Sequence, residues 1–371
     1  MDRAPWPADV PWRKVEPFVD GCRNYAAGMS SAHLSDRWPE VPADHLIADM
    51  VPPPRFDAVR FDTYVPDPAE PTQAAAVAAL RAFEQRLEPP RRRRFRRDPM
   101  VDGPPGVYLD GGYGVGKTHL LASLWHASPH PKAYGTFVEL THLVGALGFA
   151  ATADGLSGHR LVCIDEFELD DPGDTVLIST LLTRLVEAGV KVAATSNTLP
   201  GRLGEGRFAA ADFLREIQTL AERFNVVRID GEDYRHRGLP DAPRPVDDGV
   251  LEARAAATRG AALDDFDALC RHLQDLHPVR YGVLLAGVQT LFLRGVRPVS
   301  DQSTALRLVV LADRLYDRDV PVVSSGVPLD QLFPDGLLHG GFRKKYFRAV
   351  SRLVALAREG QEAGAARDGA A

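Results

Sequence analysis

The feature that most constrains this 371-residue chain is the octet Gly111-Gly112-Tyr113-Gly114-Val115-Gly116-Lys117-Thr118. A short apolar run, Val107-Tyr108-Leu109, precedes it, and a helical pattern through Leu120, Leu121, Leu124 and Trp125 follows. Strand, glycine loop and helix form the setting in which G-x-x-x-x-G-K-[ST] holds nucleotide phosphates. Glycines let the backbone turn with positive φ and approach an anion with no Cβ in the way. Successive N–H groups then point inward at the positive end of the helix dipole and form an anion nest. In that arrangement Lys117 reaches the β- and γ-phosphates and the Thr118 hydroxyl ligates Mg²⁺. His119 completes the candidate ATP-binding stretch.

Strands alternating with helices downstream of the loop predict a parallel sheet with right-handed crossovers. Ala133 to Leu140 reads as the second strand. Leu161-Val162-Cys163-Ile164 is a continuous apolar run, as in a central strand covered on both faces. Val190 to Thr195 and Phe224 to Ile229 read as the fourth and fifth. Between them, Asp174 to Ala188 is amphipathic at helical spacing. Upstream, Val59 to Val65 alternates like a short strand, and Thr72 reads as the cap of a helix from Gln73 to Leu87. Past the proline-rich break at Pro240 to Pro245, helical patterns occupy Asp264–Leu276, Thr304–Tyr316 and Phe342–Arg358. Short apolar runs near Leu291–Val296 and Val320–Ser324 suggest a minor sheet, and Gly360 to Ala371 reads as a frayed end. The expected organisation is therefore an N-terminal extension and docking helix (1–99), an ATPase core (100–245) and a smaller α-rich C-terminal lid (246–371).

Asp165 closes the third strand, where a carboxylate can hold Mg²⁺. Glu166, one residue on, is placed to orient and polarise an attacking water at the γ-phosphate. A strand lies in sequence between the loop strand and this acidic pair. Asn197, at the end of the next strand, is placed as a polar sensor between Glu166 and the γ-phosphate. His119, His126 and His130 do not form a metal cluster, because Pro129 breaks the helix between the last two. Asp170, Asp171 and Asp174 read as helix caps.

Lys and Arg number 44 against 50 Asp and Glu, a net charge of -6 that weighs against general nucleic-acid binding. The one dense basic run, Arg91 to Arg97, reads as a solvated link or as a contact for an acidic partner. Cys22, Cys163 and Cys270 are scattered, which suits a reducing compartment. With no apolar run long enough to span a membrane and no signal-peptide pattern, the expected location is the cytoplasm. Trp6, Trp12, Phe18 and Trp38 stand singly and read as anchors for docking the N-terminal extension on the main domain.

Taken together, the pieces resemble an AAA+ ATPase and, more narrowly, the ZapE family of cell-division ATPases, related to the AFG-type ATPases. The resemblance is carried by Gly111 to Leu121, Cys163-Ile164-Asp165-Glu166-Phe167 and Ala194-Thr195-Ser196-Asn197. It extends through Pro53-Pro54-Arg55-Phe56, Gln73, Asp233-Tyr234-Arg235, Asp313-Arg314-Leu315-Tyr316-Asp317 and Ser351-Arg352-Leu353. It implies the AAA+ sheet with its lid, ATP hydrolysis by a homo-oligomer, and action on the division-ring protein FtsZ. It also implies an arginine finger, for which Arg207 and Arg215 stand as candidates in a stretch where alanines and Asp212 replace the family's basic pair. Arg307 and Arg352 are the candidates for the lid's sensor arginine. Two further functions stay open on the residues themselves: a helicase-loader type of nucleic-acid remodeller, and a nucleotide-dependent scaffold with little turnover.

Overall fold

A computed structural model describes residues 33–87, 103–112, 114–168, 172–199, 218, 221–231 and 242–368. Five parallel strands build the first sheet: β1 (Gly106–Gly111), β2 (Lys132–Thr136), β3 (Leu161–Asp165), β4 (Lys191–Ser196) and β5 (Phe224–Ile229), in the order β2-β3-β4-β1-β5. In the sheet it is therefore β4, and not the sequence-adjacent β2, that separates β1 from β3. Register places Leu109 opposite Thr195 and Thr136 opposite Asp165, so the loop, the acidic pair and Asn197 all leave the same edge.

Alternation along each strand sends successive side chains to opposite faces, and both faces are covered. Tyr108, Val162, Ile164, Val192 and Ala194 pack with α3 (Phe137–Leu147), α4 (Phe149–Ser157) and α5 (Pro172–Glu187). Val107, Leu109, Leu161, Cys163 and Ala193 pack with α1 (Pro71–Gln85) and α2 (Lys117–Ala127). Each buried leucine there, Leu120, Leu121 and Leu124 among them, contributes about 1.5–3 kcal/mol.

The chain after residue 242 forms a second layered unit. A parallel sheet, β6 (Ala261–Asp265), β7 (Thr290–Val296) and β8 (Val322–Gly326), carries α7 (Phe266–Asp275), α8 (Gln302–Asp317) and α9 (Arg343–Asp368) on one face. On the other, α6 (Asp248–Ala257) packs Leu251 and Ala255 on Phe292 and Val323. Ala242 packs on the larger face and the Val246 N–H bonds the Ser324 carbonyl at 2.9 Å. Among the described residues no helix is long and apolar enough to cross a membrane.

Several local expectations are corrected. The segment Val59 to Val65 is not a strand: Phe61–Thr63 is a 3-10 turn, with Phe61 buried and the Thr63 hydroxyl accepting the Arg60 N–H at 2.9 Å. A local side-chain bond of this kind replaces a ladder partner. Thr72 is not a cap either. The helix begins at Pro71, whose missing N–H is costless there, and the Thr72 hydroxyl accepts the Asp230 N–H at 2.9 Å. β2 stops at Thr136 because Thr136 and Glu139 form a reciprocal capping box, a T-x-x-E signal that converts the rest of the expected strand into α3. Asp264 and Asp265 end β6 rather than starting a helix, and Asp265 caps α7. The end expected to fray continues α9 to Asp368. Trp38 is 59% exposed and touches His272 of the C-terminal unit, while Leu34 is the buried anchor, its N–H donating to Asp264 at 2.8 Å.

Candidate active site

The phosphate loop is built by close backbone approach. A Cβ at Gly111 would lie 2.3 Å from the Ile229 carbonyl of the neighbouring strand. Gly116 takes φ +87°, and a Cβ there would sit 2.5 Å from the Tyr64 ring, so only glycine fits. The Tyr64 hydroxyl donates to the Val115 carbonyl at 2.9 Å, which makes Tyr64 a cover on the loop that sequence reasoning did not single out. His119 turns toward the same cover: its Nε2 lies 2.9 Å from the Thr63 hydroxyl, and its ring packs edge-on to Tyr64. Lys117 Nζ donates to the Gly111 carbonyl at 2.9 Å, to the Gly112 carbonyl at 2.5 Å and to Asn197 Oδ1 at 2.7 Å. The Lys117 ammonium and the Asn197 amide are thus brought together across β1 and β4. Gly114 also adopts positive φ, at +82°; Tyr113 lies outside the described residues.

Asp165 is buried, and three hydroxyls compensate it. Thr118 donates to Oδ1 at 3.2 Å, Thr195 donates to the same oxygen, and Tyr134 donates to Oδ2 at 3.1 Å. Burial, then the charge of Glu166, raises its pKa, and the hydroxyls act in the opposite direction. The adjoining Thr118 hydroxyl and Asp165 carboxylate form an all-oxygen donor pair, the chemistry a hard cation such as Mg²⁺ selects.

Glu166 sits at φ +53°, in the left-handed region that a glutamate rarely occupies. Strain of this type collects where surrounding bonds over-determine the backbone. Here the Glu166 N–H donates to the Thr195 hydroxyl at 3.0 Å and the Phe167 N–H to the Thr195 carbonyl at 2.6 Å.

The Glu166 carboxylate is met by two arginines of α9. Arg348 Nη1 donates to Oε2, and Arg352 Nη2 donates to Oε1 at 3.4 Å. The same guanidiniums turn their other edges to Asp313 of α8, Arg348 at 2.7 Å and Arg352 through Nη1. Two cations and two carboxylates alternate in this quartet, so its charge cancels. Burial alone would raise the Asp313 pKa, but Arg348 and Arg352 hold it below the usual carboxylate range. Beside the quartet, Arg314 pairs with Glu139 of α3 and with Asp317 at 3.5 Å. Arg55 stacks on Tyr316, its guanidinium carbon 3.8 Å from the ring centroid, and ties the Pro53–Phe56 segment to α8.

Of the two lid-arginine candidates, only Arg352 comes to the site. Arg307 donates to the Leu273 carbonyl at 2.7 Å and the Leu276 carbonyl at 2.9 Å, closing the C-terminal end of α7. Arg348 was missed by sequence reasoning. Its signal was there: it precedes Arg352 by one helical turn and so shares its face. Arg207 and Arg215, the finger candidates, lie outside the described residues, as does the run Arg91 to Arg97.

The comparisons with known proteins bear on the family. Residues 40–258 and 243–363 match the family model described as AFG1-like ATPase. Cell division protein ZapE of Escherichia coli (strain K12) is 28% identical over 293 residues, covering 67% of this chain and 76% of that protein. Lactation elevated protein 1 homolog B of Danio rerio is 29% identical over 217 residues, 48% of this chain and 43% of that protein. Among solved structures, the DnaC helicase loader shares 20% identity over 47% of this chain and 99% of its own, with a TM-score of 0.33, a likeness too slight to say anything of ligand or partner.

Proposed function

The chain belongs to the AFG1-like ATPase family, and on that premise we propose that it hydrolyses Mg²⁺-bound ATP and uses the reaction to act on FtsZ polymers in the cytoplasm. One observation carries the hydrolytic reading. Lys117, Thr118, Asp165, Glu166 and Asn197 leave one sheet edge together, with Thr118 3.2 Å from Asp165 and Lys117 2.7 Å from Asn197. A phosphate chain entering the loop would take Lys117 from the carbonyls it now serves. Thr118 and Asp165 are the residues that would hold Mg²⁺, which supplies charge neutralisation on the phosphates when bound. Glu166 orients the attacking water, Asn197 senses the terminal phosphate, and Arg352 approaches the same point from α9.

Assembly into a homo-oligomer belongs to the same reading, since an arginine finger, Arg207 or Arg215, comes from a neighbouring copy. The division role is supported by the name of the relative, Cell division protein ZapE. It also rests on the segments outside the shared ATPase core that carry the family resemblance. A net charge of -6 weighs against nucleic acid as the partner. The test is ATP turnover by the purified full chain with and without FtsZ, beside FtsZ sedimentation. An ATP-dependent change in sedimentation that Lys117→Ala removes supports the reading. Stimulation of turnover by nucleic acid at physiological salt, with FtsZ inert, would replace the partner.

A further inference from the structure

We propose that Thr195 is a positioning residue for both acids of the site, one hydroxyl setting the Asp165 carboxylate and holding Glu166 in its left-handed turn. The proposal rests on the hydrolytic reading above and names a residue that reading leaves without a role. Thr195 lies on β4, 2% exposed, two residues before Asn197 and opposite Leu109 of the loop strand. A hydroxyl has a single proton and two lone pairs. The Thr195 proton is committed to Asp165 Oδ1, and a lone pair accepts the Glu166 N–H at 3.0 Å. The backbone carbonyl of the same residue takes the Phe167 N–H at 2.6 Å. Thr195 thus brackets Glu166, on the donor just before its side chain and on the donor just after.

The consequences differ for the two acids. Asp165 keeps two other partners, Thr118 on Oδ1 and Tyr134 on Oδ2, so losing Thr195 tilts its carboxylate without stranding it. Glu166 has no such reserve on its N–H: without an acceptor, the left-handed conformation loses the bond that opposes its intrinsic strain, and the backbone relaxes toward the extended region. Its carboxylate then swings away from the water it must orient. Because Asn197 directly follows the last residue of β4, Thr195 ties the approach to Asn197 and the acidic pair into one rigid piece.

The experiment uses the full chain and the pair Thr195→Val and Thr195→Ser. Valine fills the same β-branched space without a hydroxyl; serine restores the hydroxyl without the methyl. Removing an outer-shell partner of this type costs about 10–100-fold. The expected result is a kcat lowered by about 10–100-fold in Thr195→Val, a higher Mg²⁺ concentration for half-maximal turnover, and a KM for ATP changed by less than about threefold. Thr195→Ser is expected to return kcat and Mg²⁺ dependence to near wild type. Wild-type kcat and Mg²⁺ dependence in Thr195→Val would overturn the proposal, and so would a Thr195→Ser variant as impaired as the valine. If the wild-type chain turns over no ATP, the hydrolytic reading itself fails, and the same variants are read by Mg²⁺-dependent binding of a fluorescent ATP analogue. A shift in Thr195→Val that serine reverses then supports the placement of Asp165, and coincident curves overturn it.

Discussion

Glu166 is approached from two sides, and the sides are built differently. On the loop side, Lys117, Thr118, Asp165 and Asn197 come from strand ends and a helix start within one sheet, each close to a motif that is continuous in sequence. On the arginine side, Arg348, Arg352 and Asp313 come from α8 and α9 of the other unit, 182 and 186 residues from Glu166 in the case of the arginines. The first side is a local consequence of backbone geometry; the second exists only because two layered units dock. Under the function proposed above, the loop side would determine whether nucleotide binds, and the arginine side would link the C-terminal unit to the hydrolytic step.

That division is broken most severely at Lys117. Lys117→Ala removes the cation of the loop, and loss of a preorganised charge of this sort costs at least about 10²–10³-fold in turnover. ATP binding measured by calorimetry or a fluorescent analogue should disappear with it. Retained binding would mean that the arginine side also holds the phosphates.

A second comparison sharpens the assignment on the arginine side. Arg352→Ala should lower kcat by about 10-fold or more while ATP still binds, because the guanidinium beside Glu166 is lost. Arg307→Ala should leave kcat unchanged and lower unfolding stability by about 1 kcal/mol, since it bonds the last carbonyls of α7 and stays away from Glu166. Steady-state kinetics beside thermal melts separate the two. The reverse pattern would exchange their roles.

A further effect is expected on pH dependence at the join between the units. His142 of α3 faces His277 across that join, ring centroids 5.7 Å apart. Burial, then His277 and Arg314, lowers its imidazole pKa to about 4. An unfolded histidine titrates near 6.5, so only the unfolded chain gains this proton as pH falls from about 6.5 to about 4. Stability is therefore lost across that window, by as much as about 3 kcal/mol at its acid end. His142→Gln should flatten this part of a denaturation-versus-pH profile, and an unchanged slope would remove His142 as its source.

How much of this was legible in the sequence tracks the same two-sided pattern. The strand-end placement of the glycine loop, Asp165, Glu166 and Asn197 was readable because apolar strand runs stop just before them. The continuous apolar strands gave the parallel sheet, since a strand covered on both faces has no polar side to show. Arg348 gave one signal, its place a helical turn before Arg352, but its pairing was hidden because Glu166 and Asp313 are remote in sequence. Arg307 was misleading for the same reason: a cation near the expected lid position turned out to serve helix carbonyls. Thr72 and the Val59–Val65 segment misled through tertiary override, a cap-type residue accepting from Asp230 and an alternating run folded into a turn. The Thr136–Glu139 capping box was present as a signal and would have ended β2 correctly.

The most direct test of Glu166 as the point of convergence is nucleotide binding and single-turnover hydrolysis in Glu166→Gln beside wild type, at saturating Mg²⁺. Glutamine keeps the shape of the side chain and one acceptor but cannot take up a proton or polarise water as a carboxylate does. The expected result is ATP bound as tightly as in wild type, with hydrolysis slowed by about 10²–10⁴-fold. Hydrolysis at the wild-type rate would contradict it, and would move the water-orienting role away from the residue on which both sides of the site converge.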